Sequence, residues 1–136
     1  MGMELVKGGS LQQLLQDRKA EGTPFRDKEV STLLRSILSA LAHMHEKDTL
    51  HRDLKPSNIL LTDRKDLSSV KIIDFGLSEK YVIMDEFSNE QGTLFYMAPE
   101  VVKGNGKISK SVDIWAIGII MYQMLSGGLH PYKVSF

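Results

Sequence analysis

The chain contains no cysteine. That excludes a disulfide framework and any thiolate metal centre, and it fits an intracellular protein. It has no excess of either charge: 17 basic and 17 acidic side chains give a formal net charge of zero. Neither a nucleic-acid backbone nor an anionic membrane surface is therefore expected as a partner. It has no long apolar run. The longest, Ile114 to Tyr122, is well short of the roughly 18 residues that a membrane-spanning helix needs. No basic-then-apolar leader opens the chain. Met1-Gly2 is followed at position 6 by Val6 rather than Ser or Thr, which fits N-myristoylation poorly. No internal repeat or low-complexity tract is visible. What is present is a chain of 136 residues, enough for one domain that buries about two-thirds of its unfolded surface.

The apolar spacing divides this chain into elements. Met3 to Val6 read as a short extended segment ending at Gly8-Gly9. Ser10 is a reasonable N-cap for a helix from Leu11 to about Arg18, broken by Gly22, Thr23 and Pro24. Asp27 is a plausible N-cap for a longer helix, Lys28 to Glu46. In it Val30, Leu33, Leu34, Ile37, Leu41 and Met44 recur at helical spacing and turn one stripe to a core. Ile59 to Leu61 and Val70 to Ile73 are β-rich runs separated by a polar turn, Thr62 to Ser69, and suit a two-stranded ribbon. Leu77 to Gly92 is polar and acidic, a loop of the length that is usually functional or disordered. Pro99 opens a short helix ending near Gly104. The last helix, Ser111 to Leu125, is apolar nearly all round and so belongs in the middle of a fold. Little sequence follows it to cover its far side.

Four segments carry chemistry. His51-Arg52-Asp53-Leu54-Lys55-Pro56-Ser57-Asn58 puts a carboxylate, an ammonium and a carboxamide between a helix and a strand. Phosphoryl transfer needs such a set: an acceptor for the nucleophile's proton, a cation for the moving phosphoryl group, and an oxygen ligand for Mg²⁺. Asp74-Phe75-Gly76 ends a buried β-run with an acid suited to a hard cation, before a glycine that frees the backbone to turn. Gly92-Thr93-Leu94-Phe95-Tyr96-Met97-Ala98-Pro99-Glu100 leads into the Pro99 helix. Asp113-Ile114-Trp115-Ala116-Ile117-Gly118 places an acid in the first turn of the last helix. Singly, each also reads as ordinary structure: a charged turn, a strand-ending turn, a loop before a helix, a helix-start acid.

Together, in this order and spacing, the four segments resemble the HRDxKPxN, DFG, APE and DxWxxG motifs of the protein kinase family. Lys55 two residues after Asp53, with Gly92-Thr93, resembles the Ser/Thr rather than the Tyr kinases. Lys71-Ile72-Ile73-Asp74-Phe75-Gly76-Leu77-Ser78 is similar to the calcium/calmodulin-dependent type, including calcium-dependent kinases. Gly8-Gly9-Ser10-Leu11 is more similar to upstream kinases of the MAP-kinase cascade. The resemblance implies a mainly α fold with a small β-ribbon, an incomplete kinase C-terminal lobe. Its parts would be an inter-lobe hinge over residues 1–10 and two helices over 11–47. The catalytic loop, ribbon and DFG segment would take 48–76, an activation segment 77–100, and a central helix 111–127.

It also implies roles and ligands, ATP and Mg²⁺ being the cofactors. Asp53 would be the catalytic base, Lys55 would stabilise the transferred phosphoryl group, and Asn58 and Asp74 would hold Mg²⁺. Thr93 would place the substrate beside Asp53 and Lys55. Glu4 and Val6 would meet the adenine edge through their backbones, with Met3 at the gatekeeper position and Leu60 as the floor. His51 and Phe75 would stack in a hydrophobic column, His51 in a structural rather than acid–base role. Arg52 would pair with a phosphate or acid of the Leu77–Gly92 loop, and Asp113 would anchor the catalytic loop. Asn89 stands at the usual phosphosite position. Ser88 is adjacent, and Asp85, Glu86 and Glu90 offer fixed charge in place of a phosphate. Glu100 would have its Arg partner in later helices of the family.

The chain contains no G-x-G-x-x-G loop and no V-A-I-K lysine; Gly104-Asn105-Gly106-Lys107 fits neither that loop nor the Walker pattern. Two readings follow from the resemblance. The first is an ATP-dependent Ser/Thr kinase segment that acts on protein hydroxyls in a complete parent and is crippled alone, since phosphoryl transfer depends on positioning. The second is a non-catalytic, kinase-like interaction module. In either case an intracellular, cytoplasmic protein is expected, with a protein substrate, no nucleic acid and no membrane. Self-association, or a partner covering the central helix, is expected from the exposed side of Ile114 to Leu125.

Overall fold

A computed structural model of the chain describes residues 8–73, 96–104 and 108–132. Its elements are α1 (Leu11–Glu21), α2 (Asp27–Glu46), a 3-10 turn (Pro56–Asn58), β1 (Ile59–Asp63), β2 (Asp66–Ile72), α3 (Pro99–Lys103) and α4 (Ser111–Leu125). The described part is mostly helical, with one two-stranded antiparallel sheet.

Helix α1 starts where Ser10 and Gln13 cap each other. The Ser10 hydroxyl accepts the Gln13 N–H, and the Gln13 side-chain carbonyl accepts the Ser10 N–H, both at 3.2 Å. It runs three residues past the expected Arg18. Gly22 then takes a left-handed conformation, φ 68°, and the Thr23 N–H returns to the Arg18 carbonyl at 3.0 Å. Helix α2 begins one residue earlier than expected, with Arg26 rather than Asp27 at the N-cap position. Glu29 explains the shift: its carboxylate accepts the Arg26 N–H at 2.9 Å and also holds Arg18 of α1 at 2.5 Å. The Arg18 guanidinium, and next the Arg26 N–H against some opposing burial, hold the Glu29 carboxyl well below its ordinary 4.5, at about 2.

The stripe of α2 falls on Val30, Leu33, Ile37 and Leu41, and its fifth member is His45 rather than Met44. These side chains meet Leu11, Leu14 and Leu15 of α1, Ile59 and Leu61 of β1, and Ala116, Ile117, Ile120 and Met124 of α4 in one core. Each large apolar side chain buried there stabilises by roughly 1.5–3 kcal/mol relative to exposure.

The β-hairpin is longer than the sequence suggests. Its strands extend through Asp63 and from Asp66, so the turn is Arg64-Lys65 rather than Thr62 to Ser69. Asp63 closes it by accepting the Lys65 N–H at 2.9 Å. Ile59 pairs with Ile72, Leu60 with Lys71 and Leu61 with Val70. On its other side β1 meets the segment before α1: the Gly8 N–H reaches the Leu61 carbonyl (3.0 Å), and the Leu61 N–H reaches the Gly9 carbonyl (2.8 Å). Gly8 is required by proximity. A Cβ there would lie 2.4 Å from the Leu61 carbonyl oxygen and 2.7 Å from the Leu61 Cβ.

Helix α4 buries Val112, Asp113, Ala116, Ile117, Ile119, Ile120 and Met124. Ile114, Met121, Tyr122 and Leu125 are 42–50 % exposed. Among the described residues no helix is long and apolar enough to cross a membrane.

Candidate active site

The His51–Asn58 loop lies between the end of α2 and the start of β1. Its backbone is held by one carboxylate. Asp113, fully buried in the first turn of α4, accepts the His51 N–H on Oδ2 and the Arg52 N–H on Oδ1, each at 2.9 Å. The His45 Nε2 also meets Oδ2 at 2.9 Å. Buried N–H groups must be paired, and a carboxylate makes the stronger kind of bond to them. These bonds fix Arg52 at φ 71°, a left-handed conformation that costs a non-glycine residue about 1–2 kcal/mol.

His51 is 2 % exposed and both its ring nitrogens are engaged. Nε2 donates to the Ile73 carbonyl at 2.6 Å, and Nδ1 accepts the Asp53 N–H at 3.2 Å. That pair of partners selects the tautomer with hydrogen on Nε2. The ring thus fastens the loop to the end of β2, and neither nitrogen is left for proton transfer.

Asp53 and Asn58 are buried, at 7 % and 1 % exposure, and Lys55 is half-buried. The Asn58 side-chain NH₂ donates to the Asp53 carbonyl at 2.7 Å, which turns its side-chain oxygen the other way. The Lys55 ammonium stands 3.7 Å from the Asp53 carboxylate. The Ile73 N–H donates to the Asn58 carbonyl at 2.8 Å, so Asn58 and the residue before Asp74 are tied together. A carboxylate, an ammonium and a carboxamide therefore stand side by side on an immobilised backbone.

The other candidates are more dispersed. Arg52 is half-buried, and its Nε is buried with no hydrogen-bond partner among the described residues. Leu60 is half-buried in β1, bridged to Ser10. Glu100 is half-buried in the first turn of α3 and makes no ion pair among the described residues. Tyr96, just before α3, donates its hydroxyl to Gln123 of α4 at 2.7 Å; burial raises its pKa, the Gln123 bond opposing. Met3, Glu4, Val6, Asp74, Phe75, Ser88 and Thr93 lie outside the described residues, as does the Leu77–Gly92 loop. Among the described residues no three of His, Asp or Glu are grouped to hold a metal.

Sequence reasoning overlooked His45 and the Ile73 carbonyl. His45 had a signal: it continues the stripe Val30, Leu33, Ile37, Leu41 by four residues, and a polar residue on a core stripe needs a buried partner.

Residues 1–134 match the family described as the protein kinase domain, and the chain belongs to that family. It is 41 % identical to calcium-dependent protein kinase 5 of Plasmodium berghei, over 92 % of this chain and 21 % of that protein. It is 38 % identical to MAP kinase-activated protein kinase 2 of Drosophila melanogaster, over 92 % of this chain and 34 % of that one. Serine/threonine-protein kinase 17A of Oryctolagus cuniculus is 40 % identical over 92 % of this chain and 31 % of its own length. The chain thus spans between a fifth and about a third of the length of these relatives.

Proposed function

We propose that this chain is the catalytic-loop part, within the C-terminal lobe, of an ATP-dependent Ser/Thr protein kinase acting on protein hydroxyls. One observation carries the reading: Asp53, Lys55 and Asn58 stand together on a loop whose backbone is held by buried Asp113. Asp53 accepts the proton of the substrate hydroxyl. Lys55 neutralises charge on the transferring phosphoryl group. Thr93 positions the substrate beside them. Mg²⁺, when bound, neutralises the phosphate oxygens. The Asn58 oxygen suits that hard cation, and Asp74, directly after Ile73, would be its second protein ligand. Glu4, Val6 and Leu60 would meet the adenine, and Phe75 would pack against His51. Arg52, with its buried Nε, would receive a phosphate or the fixed acids around Ser88. Glu100 would hold the activation segment through an Arg of the wider domain. The protein works in the cytoplasm on a protein substrate.

The test is phosphoryl transfer from ATP to a Ser/Thr peptide by the protein that carries this chain. Asn58→Ala should raise the Mg²⁺ concentration needed for half-maximal activity by at least tenfold. An unchanged Mg²⁺ requirement would remove Asn58 from the metal site.

A second reading, an interaction module that self-associates, is favoured by the exposed Ile114, Met121, Tyr122 and Leu125 on α4. Sedimentation of the chain at micromolar concentration should show a dimer or larger species that Met121→Lys with Leu125→Glu dissolves. A wild-type monomer would refute it.

A further inference from the structure

The groove between α2 and the outer edge of β2 is not used by the catalytic loop. It has a volume of about 680 Å³, and none of its lining residues lies between His51 and Asn58. Two features of it point to one kind of ligand.

The first is the free edge of β2. The Ile73 N–H bonds the Asn58 carbonyl, which makes Asn58 and Ile73 a hydrogen-bonded pair of the ladder. Alternation then makes Leu60–Lys71 hydrogen-bonded and Leu61–Val70 not. The bonds of Leu61 confirm the phase, since its N–H and carbonyl turn away from β2 to Gly9 and Gly8. Val70 must therefore turn its own N–H and carbonyl away from β1. Neither has a partner among the described residues. Ser68 has the same phase, and its carbonyl is met by the Ser36 hydroxyl of α2 at 2.8 Å. The helix thus closes the edge at Ser68 and leaves it open at Val70. Ser68 and Val70 are the two β2 residues that line the groove.

The second feature is charge. Lys28 and Arg35 line the groove from α2, both exposed and neither in an ion pair among the described residues. They are seven positions apart, about 10 Å along the helix. Among the described residues the remaining polar lining is hydroxyl, including Ser31 and Ser39, and no carboxylate lines it. In a chain of zero net charge this is a local cationic surface beside an unpaired strand.

We propose that this groove binds an extended, acidic peptide segment of a protein partner. The peptide adds to the β2 edge through the Val70 N–H and carbonyl, and its carboxylates meet Lys28 and Arg35. Edge addition supplies main-chain hydrogen bonds, and the side chains select the sequence. Alternating acids in an extended peptide recur about every 6.7 Å on one face, so two of them fall within reach of the two flexible cations. Charge-assisted bonds make the selection for acids over bases.

The probe is a fluorescent, acetylated decapeptide of alternating Glu and Val, titrated against the full chain at physiological ionic strength and read by anisotropy. The expected result is saturable binding, with no binding of the Lys-Val counterpart. Lys28→Glu and Arg35→Glu should each weaken it about tenfold or more, with helicity by circular dichroism unchanged because both side chains are exposed. Milder Lys28→Gln and Arg35→Gln variants cover the case in which a reversal unfolds the chain. A Glu-Val peptide N-methylated at every backbone amide should also lose binding, because it cannot donate to the edge. Equal binding of the Lys-Val peptide would overturn the proposal, as would retention of binding when Lys28→Glu and Arg35→Glu are combined. Undiminished binding of the N-methylated peptide would overturn the edge addition on which it rests. Tighter binding of a single-stranded oligouridylate of equal charge would assign the groove to nucleic acid and overturn it too.

Discussion

Replacing Asp113 by Asn keeps the shape of the side chain and removes one acceptor. The carboxylate receives three donors, His51 N–H and His45 Nε2 on one oxygen and Arg52 N–H on the other, all at 2.9 Å. The best orientation of an amide keeps its oxygen toward His51 and His45 and turns its NH₂ toward Arg52. The Arg52 N–H then faces another donor. A buried donor left unsatisfied costs about 1–3 kcal/mol, and the two remaining bonds each weaken by about 1 kcal/mol on losing the charge. The sum is about 3–5 kcal/mol. It falls on a residue already held at φ 71°, so the loop should relax at Arg52 first. Urea unfolding followed by circular dichroism gives the stability, and amide hydrogen exchange at Arg52 gives the site. Asp113→Asn should lower the first by the stated amount and abolish protection at the second. A loss below about 1 kcal/mol with unchanged Arg52 exchange would refute the claim that this carboxylate holds the loop.

Other consequences are smaller or more local. His45→Leu leaves Asp113 with its two backbone donors and should cost about 1–2 kcal/mol in the same urea assay. Combined with Asp113→Asn it should cost less than the sum of the two. Gly8→Ala forces a Cβ onto the Leu61 backbone and should detach the Gly8–Gly9 segment from β1, costing about 2–3 kcal/mol and speeding amide exchange at Leu61. Glu29 has a lowered folded-state pKa, so its contribution is present above 4.5 and is lost as pH falls toward 2. Its pair with Arg18 is partly exposed, which limits the contribution to about 1 kcal/mol. The stability gap between wild type and Glu29→Gln should therefore close between about pH 5 and pH 2.

The long helices were legible because burial repeats along them. The stripe of α2 is a direct consequence of packing against one core, whereas α4 is apolar on its exposed side as well, so its composition marks a helix but not which side is buried. The hairpin turn was misread for a physical reason. Ser68 is exposed on β2, and the half-buried Thr62 hydroxyl donates to the Ser69 carbonyl across the ladder at 3.0 Å, so polar residues inside paired strands read as a loop. The Arg64-Lys65 turn also lacks the glycine or asparagine that marks most tight hairpins, because Asp63 closes it instead. At the candidate site, the residue types and spacing of Asp53, Lys55 and Asn58 were readable. The meeting of Asp113 with His51 and Arg52 spans about sixty positions. The resemblance to kinases implied that anchor, and no local pattern in the chain could have supplied it. The part played by the Ile73 carbonyl was invisible, since every residue carries the same backbone group.

Asp53, as the group proposed to receive the hydroxyl proton, is the residue on which the kinase reading depends most. The direct measurement is transfer of labelled phosphate from ATP to a Ser/Thr peptide by the protein that carries this chain, compared with its Asp53→Asn variant. That substitution keeps the size of the side chain and removes its basicity, so the rate should fall at least about 10²–10⁴-fold while ATP affinity changes little. A wild-type protein without ATP-dependent phosphoryl transfer, or a variant within tenfold of it, would contradict the account.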